Sequence, residues 1–270
     1  MQILQLKSLK TGRNMLYKTA NLVKRLVLPE VKKRICFIHI PKCGGTSIRR
    51  AISSVYKPWP FRRATHVISA AEMAMREAEQ LAGPRRNFVR TDLLNYHLAL
   101  PAPRCVMGHY RFSRETIERY KDEWNFITLI RNPVDRWYSH YFYNKNTDSI
   151  FNIDKELDEF VETDHALFLG SVYVSVVTGE TQRKLIRSQE YIEEAVNILR
   201  KFAVVGSLEN LDKFCDDFKK HFGASLSIPH VNVTPKKQRE GWERIPDAIH
   251  QKVVEVCQPD IEVYRSIIEK

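Results

Sequence analysis

The stretch Ile35-Cys-Phe-Ile-His-Ile-Pro-Lys-Cys-Gly-Gly-Thr-Ser47 limits what this chain can become more than any other. Residues Ile35 to Ile40 form an apolar run of strand length broken only by His39, the pattern of a strand covered on both faces. Pro41 ends the ladder because it has no N–H to donate. Gly44 and Gly45 allow a tight backbone path, and Thr46 or Ser47 is expected to cap the helix that follows. Ile48, Ala51, Ile52, Val55 and Tyr56 then recur on one helical face. Loop amides, a helix N-terminus, two hydroxyls and Lys42 therefore converge on one turn, which makes a phosphate cradle. Lys42 precedes the glycines, whereas a Walker A loop carries its Lys after the second Gly, so an ordinary ATP or GTP loop is disfavoured.

A chain of 270 residues suits one α/β domain or two small ones. No apolar run approaches the eighteen or so residues that span a bilayer, and Lys7, Lys10 and Arg13 are not followed by the apolar core of a secretory signal. A soluble, cytoplasmic protein is the expectation. The five cysteines, Cys36, Cys43, Cys105, Cys215 and Cys257, are scattered without Cys-x-x-Cys spacing, which argues against a disulfide scaffold and against zinc. Cys36 and Cys105 lie in apolar runs and are expected as buried thiols. Net charge is +11, and the first 34 residues hold nine basic residues against one acidic, so residues 1–30 read as a basic arm before a domain of residues 31–270. Such an arm suits an anionic surface. Aromatics are not interleaved with the basic residues as a single-strand-binding surface requires, so nucleic acid is not expected as a partner.

Along the chain, 57–65 reads as a basic, aromatic loop, and Ser69 with Glu72 as a capping box opening a helix to about Leu81. Cys105-Val-Met107 is a short strand leading into Gly108-His109-Tyr110, and Ser113 starts a helix. Phe126 to Ile130 is a second buried strand running into Arg131-Asn-Pro-Val-Asp-Arg-Trp-Tyr-Ser139. There Asn132 caps, Pro133 fits the first helical position and Asp135 suits the positive end of the dipole. Val134, Trp137, Tyr138, Tyr141 and Phe142 make that helix's apolar stripe, leaving Ser139 off it. Residues 154–179 read as helical with a break at Gly170, 188–201 as helix, 202–205 as a third buried strand, 208–222 as a helix closed by Gly223, and 247–270 as terminal helix. The alternation predicts an α/β fold of P-loop-like, three-layer type, with a mainly parallel central sheet flanked by helices.

In such a sheet ligands lie outside the carboxyl ends of the strands. Lys42 to Ser47 follow one strand and Arg131 another, with Ser139 two turns along, so a ligand with two separated phosphates would be held by both. These residues resemble a known family. Phe37 to Ser47 is similar to the 5′-phosphosulfate loop of sulfotransferases that use 3′-phosphoadenosine 5′-phosphosulfate (PAPS), especially carbohydrate sulfotransferases of the heparan-sulfate 2-O type. Leu129 to Tyr141 resembles their 3′-phosphate motif, an Arg followed eight residues later by a Ser. Weaker likeness continues in Gly108-His109, Val204 to Glu209 and Pro229 to Thr234. The resemblance implies that Lys42, Cys43, Gly44, Gly45, Thr46 and Ser47 hold the 5′-phosphate and that Arg131 and Ser139 hold the 3′-phosphate. The position of Cys43 usually carries a hydroxyl in the family.

Sulfuryl transfer needs a base for the acceptor hydroxyl and positive charge on the leaving oxygen, and requires no metal. Lys42 can serve the leaving oxygen. For the base a histidine is the natural group, and His109 is the first candidate, with His66 next; His39 reads as packed within its strand, and His140 sits on the binding helix off its stripe. The expected partner is a hydroxyl-bearing acceptor, a sugar or glycan, shaped by loops 57–66, 143–180 and 228–240. Two other readings stay open: a P-loop kinase-like phosphotransferase, which would depend on Mg²⁺, and a non-catalytic adaptor that binds anionic glycans or membranes through the arm.

Overall fold

The computed structural model describes residues 31, 33–56, 67–70, 76–77, 80–81, 88–145, 147, 151–228 and 245–269. The basic arm, the whole 57–66 loop with His66, and most of the 228–240 loop lie outside the described residues. Strand β1 spans Arg34–Ile38, β2 Val67–Ala70, β3 Cys105–Gly108, β4 Trp124–Ile130 and β5 Val204–Ser207. They form one sheet in the order β2-β3-β1-β4-β5, and all four pairings are parallel.

The apolar runs explain the sheet. Alternate residues of a strand face opposite sides, so Cys36, Ile38, Val106, Phe126 and Ile130 enter one core while Ile35, Phe37, Cys105, Met107, Ile127 and Leu129 enter the other. The first core is closed by α4 (Pro133–Lys145), α7 (Val172–Thr178), α9 (Gln189–Leu199) and α12 (Gln258–Ile268). The second is closed by α1 (Gly45–Ser54) and α10 (Leu211–Phe222). Helices on both faces of a parallel sheet make the expected three-layer α/β fold. The remaining helices are α2 (Val89–Ala99), α3 (Arg114–Tyr120), α5 (Leu157–Phe160), α6 (Asp164–Leu169), α8 (Arg183–Ile186) and α11 (Asp247–Val256). Among the described residues no helix is long and apolar enough to cross a membrane.

Several local expectations change. Ser69 does not cap a helix; it pairs with Met107 inside β2, where four residues of edge strand suffice because β3 supplies the ladder. Neither Thr46 nor Ser47 caps α1, which begins earlier, at Gly45, behind Gly44 in the left-handed region (φ 74°). The third strand starts at Val204 rather than at 202 and runs to Ser207. The 154–179 region is three short helices. Gly170 stands between α6 and α7, where a Cβ would lie 2.1 Å from the Val256 carbonyl oxygen. The terminal helix is two, divided at Cys257, with Pro259 in the first turn of α12. Asn132 caps α4 as expected, its Oδ1 accepting from the amides of Val134 and Asp135 at 3.1 and 3.2 Å.

Strand order places the ligand crevice. The chain leaves β1 toward the β2 edge and leaves β4 toward the β5 edge, so the connections diverge between β1 and β4. In an open parallel sheet that divergence opens a crevice outside the carboxyl ends. The two segments delivered there are the loop after Ile38 and the loop after Ile130.

Candidate functional site

The loop after β1 is bent by two left-handed residues, Lys42 at φ 69° and Gly44 at φ 74°. Left-handed backbone is unusual for a lysine. The first α1 hydrogen bond is donated by the Ser47 amide to the Gly44 carbonyl, at 3.1 Å. The amides of Gly45 and Thr46 therefore precede the helical ladder and face out of the helix end, where an anion is favoured. Gly44 is exposed, Thr46 partly buried and Ser47 buried.

The Cys43 side chain points the other way. It is 1% exposed, and burial pushes its thiol up to about 12, so it is an inert core group. Its Sγ lies 3.7 Å from the Tyr173 hydroxyl.

The Arg131 guanidinium reaches this loop, with Nη1 donating to the Lys42 carbonyl at 3.5 Å, so the two strand-end segments meet. The Lys42 ammonium lies 3.7 Å from the centre of the Tyr143 ring, a cation–π contact. Burial, and then the charge of Arg131, push Lys42 down to about 8. Arg131 and Ser139 are both buried, at 7% and 8% exposure, Ser139 lying two turns along α4. Glu209 fixes the start of α4: its Oε1 accepts from the Asn132 amide at 2.8 Å and its Oε2 from the Tyr264 hydroxyl at 3.1 Å.

Register accounts for the histidines. Ile38 pairs with Gly108, and the His39 amide donates to the Gly108 carbonyl at 2.9 Å, so His39 and His109 leave adjacent parallel strands side by side. Their rings stack with centroids 4.0 Å apart. On its other side the His39 ring rests against the loop after β1, since a Cβ on Gly45 would fall 1.8 Å from it. His39 is thus buried as expected, yet it sits just past β1 and forms part of the site. Burial foremost, with His109 and Arg49 adding, pushes His39 well below the ordinary imidazole range and keeps it neutral.

Both rings line a cavity of about 230 Å³ together with His140, His165, Arg76, Arg90 and Arg111 on the polar side and Phe168, Leu169, Val172 and Val176 on the apolar side. Arg111 donates to the Ser175 hydroxyl at 2.7 Å and Arg90 to the His109 carbonyl at 3.3 Å. Burial first, then Arg136, Lys42, His165 and Arg76, holds His140 well below its usual range. Among the described residues lining the cavity none carries a carboxylate. Among the described residues no group of three or more His, Cys, Asp or Glu could hold a metal ion.

The structure therefore brings the loop of Lys42 to Ser47 together with Arg131, and His39 with His109 beside it. Sequence reasoning missed Tyr173, Asp260 and the three cavity arginines. Arg111 stands two residues after His109, so the Gly108-His109 segment held that signal; Tyr173 and Asp260 carry no local one.

No family model matches the chain, and no curated protein matches it. Solved structures do show similarity. A mouse sulfotransferase, SULT7A1, complexed with PAP is 14% identical with a TM-score of 0.38, over 83% of this chain and 67% of that one. A sulfotransferase from Alicyclobacillus acidocaldarius is 14% identical with a TM-score of 0.39, over 85% of this chain and 96% of that one.

Proposed function

We propose that this chain is a PAPS-dependent sulfotransferase that sulfates a hydroxyl of a carbohydrate acceptor. The observation that carries the reading is the meeting of two anion-binding segments at the sheet's switch point, Arg131 on the Lys42 carbonyl, beside a histidine-lined cavity. The loop amides of 42–47 with Thr46 and Ser47 hold the 5′-phosphate, and Arg131 and Ser139 hold the 3′-phosphate. The fit rests on the outward amides of Gly45 and Thr46 behind left-handed Gly44. PAPS supplies the sulfuryl group. His109 accepts the acceptor proton as the new O–S bond forms, and Lys42 places positive charge on the phosphate oxygen from which sulfur departs. His39 packs the His109 ring against the loop and excludes water from its face.

The cavity also speaks to the acceptor. Its lining places the His109 ring where an acceptor hydroxyl would enter. Transfer of ³⁵S from labelled PAPS to a panel of sugars and glycans tests the reading. Label on a sugar is expected; label on no sugar, with PAP bound normally, would overturn the carbohydrate assignment.

A further inference from the structure

Tyr173 is a fully buried residue of the first turn of α7, remote in sequence from both anion-binding segments, yet its hydroxyl touches each. It donates to the Arg131 carbonyl at 2.5 Å and accepts from the Arg131 amide at 3.0 Å. Its single proton is thereby committed, and the Cys43 Sγ lies 3.7 Å away, itself 3.8 Å from the Pro41 carbonyl oxygen to which it can donate. One oxygen thus holds both backbone groups of Arg131 and the core-facing side of the phosphate loop. The ring itself is held in turn. Asp260 Oδ1 accepts from the Tyr173 amide at 2.9 Å and from the Val174 amide at 3.4 Å, and Asp260 Oδ2 lies 3.8 Å from Arg136 on the helix that follows Arg131. The contacts close a circuit: Arg131, α4, Arg136, Asp260, α7, Tyr173 and back to Arg131.

Resting on the sulfotransferase reading above, we propose that Tyr173 is a positioning residue that fixes the spacing between the 5′- and 3′-phosphate sites, and so sets selectivity for a nucleotide phosphorylated at both ends. A ligand with one phosphate uses one segment and is indifferent to their spacing. A ligand with two gains from both only when the spacing is held, which is the energetic sense of preorganisation. Cys43 takes part as the small buried side chain that lets the loop lie against the tyrosine. A hydroxyl, whose bonds are shorter by several tenths of an ångström, would meet the tyrosine oxygen only if the loop shifted.

The test is calorimetric titration of wild type, Tyr173→Phe and Asp260→Asn with PAP, 5′-AMP and 3′-AMP, each protein's thermal midpoint being measured alongside. In Tyr173→Phe, PAP affinity is expected to fall about ten- to a hundred-fold while affinity for either monophosphate changes less than about three-fold. Asp260→Asn acts one contact further away and is expected to give a smaller loss in the same direction. Unchanged PAP affinity in Tyr173→Phe, or equal losses for all three nucleotides, would overturn the positioning role. Failure of the wild type to bind PAP would overturn the donor-site reading itself, and the positioning role with it.

Discussion

The His39 imidazole is clamped between the Gly45 backbone and the His109 ring, kept neutral by burial and by its neighbour, and so stands as wall rather than as acid or base. His109, partly exposed and lining the cavity, is the proposed base. His109→Ala is expected to cut turnover by roughly 10²–10⁴ while PAP affinity persists, measured by ³⁵S transfer and calorimetry. Turnover within a few-fold of wild type would remove that role. Lys42 makes a second expectation. With its pKa near 8, and with Arg131, His140 and the Tyr143 ring as neighbours, it is partly neutral at mildly alkaline pH. A bound anion favours the protonated form, so PAP affinity should be level below about pH 8 and fall above it. Lys42→Arg, which stays charged, should flatten that fall; an unchanged pH profile would count against Lys42 as an anion contact.

The elements that carry the site rest on a few close backbone approaches. Gly206 of β5 is one, because a Cβ there would lie 2.5–2.8 Å from Phe214 of α10. Gly206→Ala should lower stability by about 1–3 kcal/mol through that overpacking, read by urea unfolding; no loss would mean that α10 moves freely against the sheet. The strand-loop-helix elements at 35–54 and 124–145 were legible because their signals are local: apolar runs, Pro41 and Pro133 as stops and starts, and Asn132 as a cap. Strand β2 was not, since four residues at a sheet edge take their stability from β3, and Ser69 looks like a cap in isolation. Helix α2 was missed as well, because only Leu94 and Leu98 are buried on it and no side chain caps it. Register is likewise invisible in the chain, so the stacking of His39 on His109 could not be read from residues seventy apart. Tyr173 reads as one more apolar helix position until its hydroxyl is seen on Arg131.

At the scale of the whole molecule, a buried Arg136–Asp260 pair ties the terminal helix to α4 and α7. Burial raises the Asp260 carboxyl to about 7 in spite of Arg136. An unfolded Asp titrates near 4, so between about pH 4 and pH 7 the folded chain holds a proton that the unfolded chain lacks, and stability falls as pH rises through that window. Asp260→Asn cannot ionise. Its stability relative to wild type should therefore climb from pH 4 to pH 7 and level off above, as read by unfolding at several pH values; parallel curves would show the carboxyl unperturbed. The same circuit joins the two strand-end segments, which on the proposed reading recognise two phosphates of one nucleotide. Calorimetry of wild type and Arg131→Ala with PAP and 5′-AMP tests it most directly. Wild type is expected to bind PAP at least ten-fold more tightly than 5′-AMP and Arg131→Ala to abolish the difference; equal affinities in the wild type, or a preference that survives the substitution, would overturn two-phosphate recognition.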